Sequence, residues 1–375
     1  MRITFVAPVA DMAGGIRVLA IYADRLRRRG HDVLIVSLPR PSPTLRQQLR
    51  GLIKGQGPIS THGRQESHFD GVAVPHHVLD RYRPVVDRDV PDADVIVASW
   101  WETAEWVFRL SPRKGAKAHF VQHHEVFDYL PKERVADVYR LPLHRITISR
   151  WLVNVLEQRY EDMEVSLVPN SVDMEQFCAP PRGKQLAPTV GFVYSTVYWK
   201  GGATIAKTIS ILRRSVPRLH VIAFGQEEPS PDLPLPAGTE YVKLPAQDDI
   251  KHIYGRCDVW LCGSESEGFC LPMLEAMACR CPVVSTRVGG PIDRIVDGVN
   301  GYLAPIGDAA TLARRIEQVL GLPEATWRAM SEAAHRTATS YTWDDATRLF
   351  EQALASAIHS NLGRSASATA GHGNP

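Results

Sequence analysis

The sequence RITFVAPVADMAGGIRVLAIYADRLRRRGHDVLIVSL, residues 2–38, carries the clearest fold signal in the chain. Its first seven residues are mostly apolar or β-branched, which predicts a buried strand. The segment ADMAGGIR then predicts a glycine-containing turn, and VLAIYADRLRRRGH has apolar residues at helical spacing. DVLIVSL, at 32–38, predicts a second strand. Strand, turn, helix and strand in this order make a βαβ unit, which implies a parallel sheet with a right-handed crossover.

The same alternation of strands and helices is found on both sides of a short linker. Residues 1–173 predict one Rossmann-like domain, and residues 188–342 predict a second, with the Pro-, Gly- and Lys-rich segment 174–187 between them. Further strand candidates are 93–100, 117–125, 165–173, 188–194, 219–225, 239–245, 258–264 and 281–287. The predicted fold class is therefore α/β, with two doubly wound parallel sheets that bind ligands at their carboxyl edges, facing a cleft between the domains.

The sequence after the second domain has two parts of different character. Residues 343–360 have an amphipathic pattern that predicts a final helix. Residues 361–375 are small and polar and predict a disordered tail.

Composition excludes several classes of protein. The chain has 375 residues, of which 44% are hydrophobic and 22% are charged, a composition typical of soluble globular proteins and not of disordered ones. Lys and Arg number 43 and Asp and Glu number 41, so the net charge of +2 does not favour a nucleic-acid partner. No apolar run reaches the length of a membrane-spanning helix, and the N-terminus lacks the pattern of a signal peptide. These features predict a cytoplasmic protein.

Two further features bear on its surroundings. Five of the six cysteines lie in the apolar stretch 257–281 without a CxxC pair, which predicts buried free thiols and neither zinc ligands nor disulfides. The segment LRQQLRGLIK, at 45–54, predicts an amphipathic helix with a basic face. It is either an ordinary surface helix or a peripheral contact with the inner face of the cell membrane or a lipid-linked acceptor.

The segment SESEGFCLPMLEAMACRCPVVSTRVGG, at 264–290, carries the strongest signal for chemistry. Glu267 and Glu275, separated by seven residues, flank a transition from a strand end to a helix whose first turn accommodates Pro272. The N-terminus of that helix offers backbone N–H groups to an anion. They belong to Gly268, Phe269, Cys270 and Leu271. Because Glu275 can also accept hydrogen bonds from hydroxyls, the segment predicts a site for a nucleotide-linked sugar.

This segment resembles the E-x7-E motif of the family 4 glycosyltransferases, a retaining group with the two-domain GT-B fold. Other pieces are similar to that family in the same order, and the resemblance covers about residues 1–355. They are the pair Gly14-Gly15, LVPNSVDMEQF at 167–177 with Ser171 in place of the usual Gly, the pair Lys200-Gly201, and DGVNGYLA at 297–304. The resemblance also implies that helix 343–360 crosses back and completes the N-terminal domain.

The resemblance implies a role for each matching residue. Glu267 matches the glutamate that contacts the donor sugar near the reacting centre, and Glu275 matches the one that binds the ribose hydroxyls. Lys200 matches the lysine that neutralises the donor diphosphate, where a fixed cation lowers the barrier as the leaving group gains charge. Gly14 and Gly15 match the loop whose backbone approaches the diphosphate, an approach that the missing Cβ atoms permit.

One position departs from the family pattern. Family members usually have an arginine five residues before the lysine, whereas this chain has Ser195 there. A serine hydroxyl can hydrogen-bond a phosphate but supplies no charge. Either another cation substitutes or phosphate binding is weaker, so a protein of weak catalytic activity stays an alternative.

The residues FVQHHE, which end a strand of the first domain, supply the next candidates. The family often has a histidine after such a strand, near the reacting carbon of the sugar. The resemblance favours His123 for this position, with His124 as the second choice and two surface histidines as the alternative. Glu125 is predicted to orient a histidine, to touch the acceptor, or to be a solvated charge.

Two more motifs have competing interpretations. Trp100 and Trp101 follow the strand ADVIVAS, where they either stack on an acceptor sugar or pack in the core. DAD, at 92–94, matches the D-x-D metal motif of other glycosyltransferases, but it precedes a strand, which predicts a solvated strand entry. We therefore predict no metal and no cofactor, with Lys200 and helix dipoles in place of a metal's charge.

Together these features predict a retaining GT-B glycosyltransferase. Its substrates would be a nucleoside diphosphate sugar and a hydroxyl on a glycan, a lipid-linked saccharide or a natural product. FVQHHE and ITISRWL are similar to rhamnosyl-type members, which makes rhamnose one candidate sugar. Two alternatives stay open: a sugar-nucleotide epimerase of the same architecture, and a catalytically weak nucleotide- or carbohydrate-binding protein. A Rossmann dehydrogenase is disfavoured because the first glycine pair does not form GxGxxG.

Overall fold

The computed structural model describes residues 1–41, 66–160 and 164–370, with backbone alone over 363–370. The segment 45–54, whose amphipathic pattern was noted above, lies outside the described residues. The chain divides into two compact units. The first consists of Met1–Thr147, Val155–Val168 and Thr347–Pro375, and the second of Ile148–Asn154 and Pro169–Ala346. Residues 148–154 thus group with the second unit, although the sequence pattern placed them in the first domain.

The sheet of the first unit has seven parallel strands. They are β1 (Arg2–Val9), β2 (Asp32–Leu38), β3 (His76–Val78), β4 (Val95–Ala98), β5 (Ala116–Val121), β6 (His144–Thr147) and β7 (Val165–Leu167). Their order is β3-β2-β1-β4-β5-β6-β7. The helices associated with them are α1 (Gly14–Arg28), α2 (Trp101–Arg109), α3 (Lys132–Arg140) and α4 (Arg150–Tyr160). The strand order reverses between β1 and β4, which is where doubly wound sheets bind ligands.

The second unit repeats this plan with six parallel strands. They are β8 (Thr189–Val193), β9 (His220–Gly225), β10 (Glu240–Lys243), β11 (Val259–Cys262), β12 (Val283–Thr286) and β13 (Gly301–Ala304). Their order is β10-β9-β8-β11-β12-β13, so the reversal lies between β8 and β11. Its helices are α5 (Gly202–Ser215), α6 (Ile250–Gly255), α7 (Leu271–Ala278), α8 (Gly289–Arg294), α9 (Ala309–Leu320) and α10 (Glu324–Thr339). The prediction of two Rossmann-like, doubly wound parallel sheets is confirmed.

The central strands are buried on both faces. All four residues of β4 and all four of β12 are buried, without the alternation of an exposed sheet. This pattern is typical of parallel sheets with helices on both faces. Continuous apolar runs, and not alternating ones, were therefore the correct strand signal in this chain.

The last helix, α11 (Trp343–Ala370), is longer than predicted and belongs mainly to the first unit. Its Phe350 ring stacks on Tyr22 with the centroids 4.4 Å apart, and it also contacts Phe5 and Phe120. The helix continues past residue 360 because the next ten residues contain several alanines and no proline.

Two features of the described residues concern membrane contact and thiol chemistry. Among the helices that the structure describes, none combines the length and the apolarity needed to cross a bilayer. The five cysteines between 257 and 281 are buried and free, as predicted, and Cys178 is exposed.

Candidate functional site

The second unit places two polar loops on either side of its strand reversal. The loop 194–201 follows β8, and the loop 263–270 follows β11. Because β8 and β11 are hydrogen-bonded neighbours, both loops leave the same edge of the sheet. The amide of Glu265 donates to the carbonyl of Trp199 at 2.7 Å, which ties the loops together.

Gly201 makes the close approach of these loops possible. Its φ is +70°, in the left-handed region that favours glycine. A Cβ at this position would lie 1.8 Å from the carbonyl oxygen of Gly263. Gly201 therefore has a packing role beside its place in the Lys-Gly pair, and it sets the position of the lysine before it.

Lys200 and Glu267 meet across the strand reversal. The Lys200 Nζ lies 2.8 Å from Glu267 Oε1, and the Ser264 hydroxyl donates to the same oxygen at 2.8 Å. Glu267 is 6% exposed, whereas 41% of the Lys200 side chain is accessible. Burial lowers the pKa of the Lys200 ammonium, but the Glu267 carboxylate, together with Cys270 and Cys262, raises it by more, so the net pKa is raised. The lysine therefore stays charged and in part open to a ligand.

The N-terminus of α7 begins next to this ion pair. Cys270, the residue before the helix, has a left-handed φ of +69°, and Pro272 occupies the first turn as predicted. The backbone leading into it is held by a second close approach, since a Cβ on Gly290 would lie 2.0 Å from the Phe269 carbonyl. The first N–H groups of a helix have no intrahelical acceptor. With the helix dipole they form an anion site.

Glu275 lies inside α7 and is 5% exposed. Its Oε2 accepts a hydrogen bond of 2.8 Å from the hydroxyl of Tyr254, on α6. Burial, and then the neighbouring Glu275, raise the pKa of Tyr254 well above its usual value, so the phenol remains the donor. The sequence pattern did not identify Tyr254, because a single tyrosine in an apolar helix carries no signal of such a contact.

Ser195, in the place of the family arginine, has a local role. Its Oγ accepts the amide of Val197 at 3.2 Å. The next residue, Thr196, bonds both carboxylate oxygens of Glu227 at 2.8 Å. The structure therefore places a carboxylate, and not a cation, beside this stretch of the loop.

Two other motif segments are structural. In the segment 167–177, the Ser171 hydroxyl donates to the carbonyl of Tyr341 at 2.7 Å. In DGVNGYLA, the Asp297 carboxylate accepts the amide of Leu303 at 2.7 Å, and Asn300 accepts the amide of Val296 at 2.8 Å. These side chains fix loop conformations.

In the first unit, Gly14 and Gly15 begin α1 at the reversal between β1 and β4. The Gln122 side chain donates to the Gly15 carbonyl at 3.1 Å. A Cβ on Gly14 would meet nothing within 4 Å, so the backbone there is open. Gln122 directly follows β5, and the sequence pattern did not identify it as a site residue.

His123 and His124 have different surroundings. The His124 Nε2 lies 2.7 Å from the Tyr160 hydroxyl. Burial, with Arg159 and His123, lowers the pKa of His124 to about 4, so this ring is neutral at neutral pH. The His123 Nδ1 lies 3.1 Å from the His124 carbonyl, and its ring centroid is 4.9 Å from that of Phe127. Both rings therefore have local contacts, and His123 stays the predicted contact of the donor sugar.

Glu125 and Trp101 turn out to be linked. Glu125 is 3% exposed, and its Oε2 accepts the Trp101 amide at the start of α2 at 2.8 Å. The prediction of a solvated Glu125 is wrong, because the N-terminus of α2 requires an acceptor and this carboxylate supplies it. Burial raises the pKa of Glu125 well above its usual value. Trp101 is buried, with the Arg134 guanidinium 5.2 Å above its ring, whereas Trp100 is half-buried.

The DAD segment lies directly before β4, and both of its carboxylates form ion pairs. Asp92 pairs with Lys114 at 2.9 Å, and Asp94 pairs with Arg2 at 2.9 Å. Over the ranges that the structure describes, no group of three or more His, Cys, Asp or Glu side chains is placed to hold a metal ion.

Sequence similarity to known proteins lies mainly in the second unit. Residues 181–337 match the family described as Glycosyl transferases group 1. N-acetyl-alpha-D-glucosaminyl L-malate synthase of Bacillus anthracis is 39% identical over 94 residues, which are 25% of this chain and 24% of that protein. D-inositol 3-phosphate glycosyltransferase of Salinispora arenicola is 38% identical over 104 residues, 27% of this chain and 23% of that protein. The aligned segments thus span about a quarter of these relatives' length.

Structural comparison covers nearly the whole chain. Sucrose-phosphate synthase of Thermosynechococcus elongatus superposes with a TM-score of 0.73 at 17% identity, over 95% of this chain and 100% of that one. Anabaena Alr3699/HepE in complex with UDP gives 0.71 at 16% identity, over 95% and 100%. At such identities the likeness establishes the fold, and the predicted GT-B fold class is confirmed.

Proposed function

We propose that this protein is a glycosyltransferase that moves a sugar from a nucleoside diphosphate sugar to a hydroxyl acceptor, with retention of the anomeric configuration. The observation that carries the proposal is the Lys200–Glu267 ion pair, held at the strand reversal directly before the N-terminus of α7. A cation, a carboxylate and a helix N-terminus in one place suit a diphosphate-linked sugar. The match of residues 181–337 to group 1 glycosyl transferases supports the same conclusion.

Lys200 is the proposed partner of the donor diphosphate. An ammonium has three N–H donors, and the bond to Glu267 uses one of them. The accessible part of the side chain lets the other donors reach a phosphate oxygen. As the bond to the sugar breaks, negative charge grows on that phosphate, and a fixed cation then stabilises the transition state more than the ground state.

The two glutamates have separate proposed roles. Glu267, oriented by Ser264 and Lys200, would contact a hydroxyl of the donor sugar near the reacting carbon. Glu275 would accept hydrogen bonds from the ribose hydroxyls, with Tyr254 holding its carboxylate in place. Both side chains are almost fully buried, so their bonds to a ligand would form in a low-dielectric environment, where they are strongest.

The proposed reaction is a same-face displacement. The acceptor oxygen attacks the anomeric carbon on the side of the leaving diphosphate. The bond between that carbon and the diphosphate oxygen breaks, and the acceptor's proton passes to an oxygen of the leaving diphosphate. In this proposed route the acceptor oxygen is the nucleophile, and no side chain takes that role. His123, on the first unit, is the proposed contact of the sugar, since His124 is held by Tyr160.

A structural neighbour suggests the order in which donors are tested. HepE was crystallised with UDP, so uridine donors come first in a donor screen, ahead of guanosine and thymidine donors that include rhamnose. The acceptor is proposed to bind the first unit. Contact of segment 45–54 with an anionic membrane is a further proposal, tested by co-sedimentation with vesicles that contain anionic lipid.

A second candidate function is nucleotide or carbohydrate binding with weak catalysis. The observation that favours it is the loop around Ser195, where Thr196 bonds Glu227 and the family arginine is missing. A negative side chain beside the diphosphate would weaken transition-state stabilisation.

The test is a panel of nucleotide sugars, scored for thermal shift and for release of nucleoside diphosphate. Glu275→Ala is the variant, and Glu265→Ala, at an exposed glutamate on the loop that precedes α7, is its matched control. The proposal expects a thermal shift with one nucleotide family that Glu275→Ala abolishes and Glu265→Ala keeps. It also expects diphosphate release only when an acceptor is added.

The other outcomes are equally informative. Conversion of the donor sugar without any acceptor indicates an epimerase. Binding without release over a broad acceptor panel supports the second candidate. Absence of binding to every nucleotide overturns the proposal.

A further inference from the structure

Two buried thiols flank the loop that carries Glu267. Cys262 is the last residue of β11, and Cys270 is the residue directly before α7. Their Sγ atoms lie 3.7 Å apart, within hydrogen-bonding distance for sulfur. Each residue is 7% exposed, so neither is completely sealed from solvent. The loop 263–269 is therefore closed at its base by a pair of adjacent sulfurs.

The backbone conformation of Cys270 contributes to this pairing. Its φ of +69° is rare for a residue with a side chain. The surrounding chain fixes it, because Gly289 and Gly290 bring α8 into contact with the backbone of Glu267 and Phe269. A residue held in a sparsely populated conformation is a reason to look for function at that position.

The thiol pair is adjacent to the proposed donor site. The two cysteines lie at the ends of the loop that carries Glu267, and Glu267 bonds the Lys200 Nζ at 2.8 Å. The hydrogen bond with Cys270, and then burial, raise the pKa of Cys262 well above its usual value. At neutral pH the Cys262 thiol is therefore protonated, and its reaction with an oxidant is slow.

We propose that Cys262 and Cys270 form a dithiol modification site, which a peroxide-class oxidant converts into an intramolecular disulfide that disables the adjacent site. The effect on the donor rests on the proposed function, whereas the chemistry of the thiols does not. One sulfur attacks a peroxide oxygen, the O–O bond breaks, and a sulfenic acid and one water are formed. The second sulfur attacks the sulfenic sulfur, the S–O bond breaks, and the oxygen leaves as a second water.

Closing this bond must move the loop. A disulfide needs its sulfurs at about 2.05 Å, so they must approach by well over an ångström from 3.7 Å. The loop between them carries Glu267, whose bond to Lys200 depends on a 2.8 Å geometry. A misplacement of about 1 Å at a reacting group can cost on the order of a hundredfold in rate. We expect oxidation to lower donor binding and turnover together.

The chemical test uses the full chain and hydrogen peroxide. Trypsin leaves both cysteines on one peptide, residues 257–280, so a second cleavage after Glu265 or Glu267 is needed to reveal the cross-link by mass spectrometry. The expected product is a pair of peptides joined through Cys262 and Cys270, which dithiothreitol separates. Cys178→Ser, at an exposed cysteine, is the matched control and should form the same product.

The functional test compares oxidised with reduced protein for each variant. Nucleotide binding by the unmodified chain and by Cys178→Ser should fall at least about tenfold on oxidation and recover with dithiothreitol. In Cys262→Ser and Cys270→Ser, oxidation should leave nucleotide binding unchanged. Cys270→Gly, which suits a left-handed φ, replaces the serine variant if that one does not fold.

Several results would overturn the inference. Peroxide that modifies Cys178 but leaves Cys262 and Cys270 unlinked removes the dithiol site. A cross-linked protein that binds nucleotide as tightly as the reduced one removes the inhibitory effect. If reduced protein binds no nucleotide at all, the proposed function fails, while the cross-link measurement still decides the thiol chemistry.

Discussion

The carboxyl edges of the two sheets are built on the same plan but use their polar side chains differently. On the second sheet, Lys200 and Glu267 bond each other across the strand reversal, and the lysine remains accessible. On the first sheet, Glu125 is buried against the Trp101 amide, and His124 is held by Tyr160. At the carboxyl edge of the first sheet, these residues hold the surrounding structure in place. At that of the second sheet, Lys200 keeps an accessible charge beside a buried carboxylate.

This difference shows how far a motif can be interpreted from position alone. Both sets of residues follow strands at the correct edge, where ligands bind in doubly wound folds. Burial and hydrogen-bond partners separate them, because a carboxylate that already caps a helix has fewer acceptor sites left for a ligand.

The largest effect is expected at Lys200, the accessible charge of the second edge. Lys200→Ala should lower kcat/KM for sugar transfer by about a hundredfold to a thousandfold, since it removes a charge aimed at the leaving diphosphate. Lys207→Ala, at an exposed lysine on α5, is the matched control. Steady-state kinetics with a fixed acceptor makes the measurement. Equal activity of the two variants would remove the distinction between the edges.

The next prediction compares one glycine from each edge. Gly201→Ala combines a left-handed φ with a Cβ 1.8 Å from a carbonyl oxygen, so it should cost more than about 1–3 kcal/mol of unfolding free energy. Gly14→Ala meets open space and should change stability by less than about 0.5 kcal/mol. Urea denaturation of both variants measures this difference.

Measurements of catalytic activity add a second comparison between Gly14→Ala and Gly201→Ala. If the first edge approaches the diphosphate through its backbone, Gly14→Ala should lower kcat/KM in a protein of normal stability. A fully active Gly14→Ala protein would argue that the first edge takes no part in donor binding. A stable Gly201→Ala protein would show that the loops after β8 and β11 can separate without cost.

The fold and the second edge could be predicted from sequence because their signals are local. The βαβ pattern of 2–38 and the Glu267/Glu275 spacing each depend on neighbouring residues, and the structure contains the βαβ unit as predicted. Lys200 and Glu267 lie 67 positions apart, yet the parallel strand order brings them to the same edge.

The first edge could not be predicted in the same detail because its contacts are tertiary. Glu125 receives its hydrogen bond from Trp101, and His124 lies against Tyr160, 36 residues later. Nothing in the six letters FVQHHE indicates these partners. The solvated interpretation of Glu125 failed for that reason, and Tyr254 was missed for the same one.

The third prediction concerns Tyr254, a scaffold residue of the second edge. Tyr254→Phe removes the hydroxyl that donates to Glu275 and leaves a buried carboxylate short of one partner. A loss of about 1–3 kcal/mol is expected for such a change. We expect it to be divided between lower thermal stability and weaker nucleotide binding, measured by thermal shift and titration. Tyr241→Phe, at a less buried hydroxyl, is the control, and an unchanged nucleotide affinity for Tyr254→Phe would contradict the role given to Glu275.

The smallest effect is a pH slope in the scaffold of the first edge. Burial, with Arg159 and His123, lowers the pKa of His124 to about 4 from the ordinary 6.5. Between these values the unfolded chain binds a proton that the folded chain does not, so stability falls as the pH falls from about 6.5 to about 4. Buried His119, with its pKa lowered to about 3, acts in the same direction.

His124→Gln should therefore reduce this slope without abolishing it, since His119 remains. Unfolding free energies from urea titrations at several pH values between 4 and 7 measure the effect, with the exposed His77→Gln as the control. Parallel curves for wild type and His124→Gln would mean that His124 is solvated and free to act at the first edge. The preference for His123 would then lose its basis, since it rests on the engagement of His124 with Tyr160.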